Sequence, residues 1–453
     1  TLSDYFDTSA SSLNPHNRGF GFFVYGTLPM FMVRYAGEWL GKTGYDEIHL
    51  AGRQLSGMMD LGTIVMVYLT AAHLFRNRRL ALLAAAFAAF SVLPIQLSHY
   101  FTVDTFTNFF GMLAFYFAAR LLPVGPPGRG EAGPAGGWRT ALLCAFFGAA
   151  LGLAAASKIN AALLAALLPA AVAIDFFSRP PSEREKHLWV GVRNLVIAAL
   201  VCIVVFRIFQ PYAFSGPGFF NFTPNPLWLD NMRSLAAQST GDVDFPPALQ
   251  WARRPVWFSL QNMVLWGLGL PLGILAWAGF LWMGYRIFKG RQPENLLIWG
   301  WTGFYFVYQS VNFTRSMRYQ MLIYPTLAVI AAWAVFALWE KAPAAGPRPP
   351  RMRLHWAQIA ALLAGAVVLS AAFAWAFAFT RIYTRPVTRV AASRWIYQNI
   401  PGPVNLKIDT GDSTVNQPAA FRSGYTLRSS EGPLVLAFRP RQAGELLDVT
   451  FEH

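Results

Sequence analysis

Continuous apolar runs of about twenty residues, parted by short polar stretches, dominate the chain. A run of that length covers the ~30 Å hydrocarbon core of a bilayer as a helix. The runs are unbroken rather than alternating, which argues against a strand barrel. Ten spans are expected, near residues 53–75, 79–98, 103–123, 139–157, 159–177, 190–212, 261–285, 294–312, 319–340 and 356–380. The fold class expected is therefore an all-α polytopic membrane protein, with a helix bundle over 51–380 that carries a long outer loop at 213–260. Residues 1–50 form an opening outside the membrane, in which FFVYGTLPMFMVRYAGEWLG predicts an interfacial amphipathic helix from about Leu28, with Pro29 in its first turn. A short eleventh span is the alternative there. Residues 381–453 predict a small outer segment with strand-like pieces VNLKI and GPLVLAF.

Composition sharpens this picture. Of 453 residues, 55% are hydrophobic and 13% charged, against about 25% charged in soluble proteins. Lys and Arg number 37 and Asp and Glu 22, so 37 − 22 gives +15. In a soluble chain that excess would suggest nucleic acid. Here it gathers in alternate loops: RNRR (76–79), PGRGEAGPAGGWR (127–139), SRPPSEREKH (178–187), YRIFKGRQ (285–292) and EKAPAAGPRPPRMR (340–353). By the positive-inside rule those loops are cytoplasmic, and no nucleic-acid partner is expected. Cys144 and Cys202 lie inside apolar runs and imply no disulfide or zinc framework.

The opposite loops hold the unusual chemistry. In SHYFTVDTFTNFF, Asp104 stands where an apolar run begins. It either caps the helix or faces a substrate as a carboxylate able to orient a sugar hydroxyl or ligate a divalent cation. His99 stands nearby, as a structural hydrogen-bonder or an assistant. Lys158 in SKIN interrupts a very long apolar run, either snorkelling or offering a point charge to a phosphate. Arg315 and Arg318 of TRSMRY, three residues apart and expected on one helical face, suit a lipid headgroup or one phosphate anion. Arg253 and Arg254 share that ambiguity. In the long loop, Asp242 and Asp244 form a weak cation-binding pair, and Trp228, Trp251 and Trp257 suit sugar stacking or an interfacial aromatic belt. There is no phosphate-binding P-loop, GxSxG elbow or HExxH, so a soluble-type nucleotidase, esterase or metalloprotease site is not indicated.

In their order, FFVYGTLPMFMVR, RQLSGMMDLGTIVMVYLTAAHLFRNRR, IQLSHYFTVDTFTNFF, GLAAASKINAALL and MRYQMLIYPTLAVIAA carry a resemblance over about residues 14–395. The chain resembles the membrane glycosyltransferases of GT-C architecture, specifically bacterial relatives of the dolichyl-phosphate-mannose protein mannosyltransferases (family 39). The resemblance implies transfer of a sugar from a polyprenyl-phosphate donor to a protein, lipid or glycan acceptor. It implies an inverting displacement on the outer face of a bacterial inner membrane, among membrane lipids. It matches Asp104 to the second acidic position, Lys158 to the basic turn, and Arg318 with Tyr319 to the segment near the donor phosphate. The family's first span and acidic motif would lie upstream of YGTLP, where this chain offers only Asp4 and Asp7. Either of these serves as base, or the base is expected on a missing N-terminal piece. No cofactor is implied beyond an optional divalent cation. The competing readings are a lipid or glycan flippase, whose charges would line a path through the bundle, and a glycan ligase or polymerase using the same donor chemistry.

Overall fold

The computed structural model describes residues 2–122, 137–290, 292–340, 355–399, 404–419, 435, 439–440 and 442–451. The arginine-bearing loops at 127–139 and 340–353 lie largely outside the described residues, as does GPLVLAF except for Val435. The helices run α1 (Leu2–Tyr5), α2 (Thr27–Trp39), α3 (Ile48–Phe75), α4 (Arg78–Ala89), α5 (Val92–Ser98), α6 (Val103–Ala119), α7 (Trp138–Ser157), α8 (Leu167–Ser178), α9 (Pro181–Phe209), α10 (Pro226–Thr240), α11 (Phe258–Asn262), α12 (Leu270–Phe288), α13 (Leu296–Val311), α14 (Tyr324–Trp339), α15 (Trp356–Thr380) and α16 (Thr388–Asn399). Short 3-10 turns at Ile159–Ala166 and Met317–Ile323 lead into α8 and α14.

The chain is an integral membrane protein. Among the described residues seven helices are long and apolar enough to cross a bilayer, or eight if α4 and α5, bent by 57°, form one broken span. The expected ten is therefore not reached. The two segments that fall short are α6, of 17 residues, and α13, of 16, which rise only about 24–26 Å at 1.5 Å per residue. Near residue 28 the expected helix is present as α2, which begins at Thr27 with Pro29 in its first turn.

Two compact units divide the chain, Thr1–Phe377 and Ala378–His453. In the first, burial sorts the helices. The apolar window of Met317–Trp339, which holds α14, is 89% buried, whereas that of α9 is 17% buried. A helix that is apolar all round belongs where protein surrounds it, so α14 is central and α9 leaves most of its surface to lipid. Small residues allow α7 to approach α9: a Cβ on Gly148 would stand 2.2 Å from the Ala198 carbonyl oxygen. The second unit carries a three-stranded antiparallel sheet of β1 (Val404–Asp409), β2 (Thr414–Pro418) and β3 (Glu445–Phe451), in order β2-β1-β3. VNLKI is most of β1, with Val404, Leu406 and Ile408 buried.

Candidate active site

Three segments distant in sequence meet where α6 begins, α7 ends and the turn Met317–Ile323 leads into α14. Asp104 stands in the first turn of α6, behind the extended Thr102 that occupies the cap position. Its carboxylate faces cations, not free backbone N–H groups. Lys158 Nζ donates to its Oδ1 at 2.8 Å, and Arg318 Nε lies 3.5 Å from its Oδ2. The capping role allowed by the sequence thus gives way to an ion-pair role, although the helix N-terminus still favours the negative charge.

Lys158 reaches Asp104 because α7 stops at Ser157. Its backbone is extended (φ −157°, ψ 124°) before the next turn begins at Ile159. Arg318 and Tyr319 sit in the turn Met317–Ile323. The Tyr319 ring centroid is 4.7 Å from Lys158 Nζ and 5.8 Å from the Arg318 guanidinium carbon. The ring's π face therefore adds to the hold on both cations.

Side-chain exposure grades from 5% at Asp104 through 15% at Lys158 to 40% at Arg318. A carboxylate buried to this degree needs partners. Two cations against one carboxylate leave a net +1 in the cleft, a charge suited to an anion. The cavity these side chains line, with Thr107, Asn160 and Tyr305, is only about 10 Å³, room for about one water. A phosphate can enter only if a cation swings aside, and Arg318 is the most exposed of the two.

Residues 24–211 match the model of the dolichyl-phosphate-mannose-protein mannosyltransferase (PMT) family, a segment that contains Asp104 and Lys158. The apo crystal structure of the Archaeoglobus fulgidus oligosaccharyltransferase is similar in fold, with TM-score 0.55, 19% identity, and 83% of this chain and 50% of that chain covered. The zinc- and sulfate-bound form of the same protein gives 0.52 at 21% identity, covering 79% and 44%. Its form tethered to an NVT-sequon peptide gives 0.52 at 18% identity, covering 83% and 49%. Residues 24–211 are thus similar to the PMT family, and the helix bundle is similar in fold to the oligosaccharyltransferase. It spans about half the length of the solved structures it matches. No curated protein matches its sequence significantly.

The other residues singled out in the sequence are placed differently. Arg315 does not share a helical face with Arg318. It lies in the loop before the turn and donates to the carbonyls of Ser310 (3.1 Å) and Arg254 (2.8 Å). With Thr314 N on the Ser239 carbonyl at 3.2 Å, this fastens the long outer loop to the strip just before Arg318. Arg254 itself donates to the Gln250 carbonyl and covers the Phe258 ring at 5.0 Å, while Arg253 is exposed. Trp228 packs on Phe206 and Trp251 on Phe258. Trp257 is exposed. Asp242 accepts from the Thr240 hydroxyl, and Asp244 is exposed. His99 Nδ1 bonds the Ile95 carbonyl at 2.6 Å, within its own helical turn.

Asp7 Oδ1 accepts from Ser9 N, Ser9 Oγ and Ala10 N at 3.0, 2.7 and 3.2 Å. Those hydrogen bonds, the Ser9 hydroxyl foremost, hold its carboxyl below the ordinary Asp value. Asp4 is exposed on α1. The opening segment is docked on the end of α9: Tyr5 donates to the Ile208 carbonyl (2.5 Å) and Thr27 N to Gln210 Oε1 (2.7 Å). Gly26 N donates to the Ser157 carbonyl at 3.1 Å, one residue from Lys158. A Cβ on Gly26 would lie 1.9 Å from the Ala156 carbonyl oxygen, so only glycine permits this approach.

Four residues escape a reading of the sequence. Tyr25, next to Gly26, is within electrostatic reach of Arg318. Tyr305 lines the cleft from α13. Asn108, one turn beyond Asp104, is buried with neither amide atom hydrogen-bonded. Arg207, wholly buried, donates to the carbonyls of Phe219 (3.0 Å), Pro211 (2.8 Å) and Gly218 (2.6 Å). Each sits in or beside an apolar run, so periodicity gives no separate signal. Among the described residues no three His, Cys, Asp or Glu side chains stand together, and Asp104 already faces two positive groups.

Proposed function

We propose that this chain carries the bundle of a glycosyltransferase that moves a sugar from a polyprenyl-phosphate donor to an acceptor at the outer face of a bacterial inner membrane. The observation that carries this reading is the convergence of Asp104, Lys158 and Arg318 in one net-positive cleft at the helix ends away from the arginine-rich loops. The PMT family match over 24–211 and the likeness in fold to the oligosaccharyltransferase support it. In this reading α6 and α13 complete about ten membrane crossings, as helices slightly shorter than the bilayer core, which thins locally around short segments.

The chemistry follows from charge. When the bond between the anomeric carbon and the phosphate oxygen breaks, negative charge grows on the departing polyprenyl phosphate. Lys158 and Arg318 stabilise that charge where it develops. Asp104 holds the two cations at the correct place between turnovers and keeps them from drifting into solvent. The acceptor oxygen attacks from the opposite face and inverts the anomeric centre, giving up its proton to a carboxylate. Asp104, with cations on both oxygens, is a positioning group in this scheme. Within this chain the base is proposed among Asp4 and Asp7 of the opening segment, and the hydrogen bonds of its own turn make Asp7 a weaker base than an ordinary carboxylate.

A second reading has a specific observation in its favour. Solved structures of similar fold include those of an oligosaccharyltransferase, so the group transferred could be a whole glycan. One assay addresses both: full-length protein in membranes receives radiolabelled polyprenyl-phosphate hexose or a polyprenyl-linked oligosaccharide, with mixed acceptors. Label leaving the monosaccharide donor supports the first reading, and label leaving only the oligosaccharide donor supports the second. If label stays on the lipid with every acceptor, the transferase reading is lost.

A further inference from the structure

At the opposite end of the bundle lies a groove of about 320 Å³ between α4, α14 and α15, within the size range of ligand pockets. Its walls are apolar: Leu83 from α4, Val335 and Trp339 from α14, Ala366 and Leu369 from α15. Arg79, the second residue of α4, stands at its mouth. Arg79 is exposed, and among the described residues its guanidinium has no hydrogen-bond or ion-pair partner. Within the groove α15 packs closely on α14 at a glycine: a Cβ on Gly365 would stand 3.3 Å from Val335 Cγ1.

The three helices bring the same ends here. Arg79 begins α4, Trp339 ends α14, and Ala361 lies near the start of α15. The groove therefore starts at the membrane interface on the arginine-rich side. From Ala361 to Leu369 it runs inward about 12 Å at 1.5 Å per residue, most of one ~15 Å leaflet. Trp356, 66% exposed at the start of α15, marks the interface in the way aromatic belts do. Charge decides the occupant. Arg79 lines the groove, with Arg76 and Arg78 within three residues of it in sequence, while Glu340 follows Trp339 at the end of α14.

We propose that this groove binds an anionic glycerophospholipid of the arginine-side leaflet, with its phosphate on Arg79 and one acyl chain along Leu83, Val335 and Leu369. The site is separate from the Asp104 cleft and takes a structural lipid, not the sugar donor. A phosphate near one surface arginine gains about 1 kcal/mol, or about fivefold in binding.

Native mass spectrometry of the detergent-purified full-length protein, loaded with phosphatidylglycerol or phosphatidylcholine of identical acyl chains, tests this. Wild type should retain phosphatidylglycerol about fivefold better. Arg79→Gln should bring the two lipids to parity, and Ala366→Trp, which fills the groove, should remove one bound lipid of either kind. Arg79→Gln alters only an exposed side chain, so it remains informative if the tryptophan variant fails to fold. Equal retention by wild type, or unchanged preference in Arg79→Gln, overturns the proposal. So does a change of oligomeric mass in Ala366→Trp with lipid retention intact, which would make the groove a contact between copies.

Discussion

Lys158 Nζ lies 2.8 Å from Asp104 Oδ1, although the two residues are 54 positions apart and belong to the ends of different helices. The pair is largely buried, and Arg318 closes it from a third segment. Removing one member of a buried pair typically destabilises by about 3–5 kcal/mol, and by less here because Arg318 still faces the remaining carboxylate. Lys158→Met should therefore lower the melting temperature of the detergent-solubilised protein, while the Asp104→Asn/Lys158→Met double variant should recover part of that loss. A double-mutant cycle in thermal unfolding measures it, and strictly additive effects would deny the coupling.

Arg315 and Arg318 should separate kinetically. Arg318→Ala removes a charge-assisted contact to a phosphate, worth about 1.5–3 kcal/mol, so KM for a polyprenyl-phosphate donor should rise roughly tenfold to a hundredfold. Arg315→Ala instead frees the outer loop from the strip before Arg318. Limited proteolysis around residues 240–255 should accelerate in that variant alone.

Gly26→Ala should destabilise the protein by about 1–3 kcal/mol, because the new methyl meets the Ala156 carbonyl. Gly21→Ala, where a Cβ would meet nothing within 4 Å, is the control. Equal melting temperatures for the two variants would mean that the Gly26–Ser157 contact does not tie the opening segment down.

Asn108→Leu should raise stability by about 1–3 kcal/mol, since it replaces a buried amide with no hydrogen-bond partner by an apolar group of similar volume. Differential scanning fluorimetry reads the shift. A drop instead would imply that the amide is satisfied in the working protein.

The Asp7 turn has a pH signature. Its native carboxyl is held below the value it has in the unfolded chain, so the turn's hydrogen bonds contribute fully above the ordinary carboxylate range. They are lost as pH falls through the depressed native value. Amide exchange at Ser9 and Ala10, corrected for intrinsic rates, should lose protection only in that acidic window. In Asp7→Asn the window should vanish.

The bundle was legible in the sequence because bilayer thickness forces long apolar runs, and the break at SKIN because Lys158 interrupts one. Asp104 was visible as an anomaly, but its partners were not. Pairing across 54 residues depends on which helix ends meet, and hydropathy does not encode that. Arg315 and Arg318 illustrate the limit: spacing predicts a shared face only if both are helical, and Arg315 falls in the loop. The expected count of about ten exceeds the seven or eight helices long enough to cross because α6 and α13, though apolar, are short. Arg207 and Tyr25 were hidden because one lies inside an apolar run and the other beside a glycine whose role appears only when Ala156 packs against it.

Affinity of the purified full-length protein for a polyprenyl phosphate, set against the same polyprenol without its phosphate, tests the cleft most directly. Wild type should prefer the phosphate by at least about tenfold, as expected for a phosphate held by charge-assisted hydrogen bonds. Lys158→Met and Arg318→Met should each erode that preference. Equal binding of the two lipids by wild type, or an undiminished preference in both variants, would contradict the assignment of this cluster to the donor phosphate.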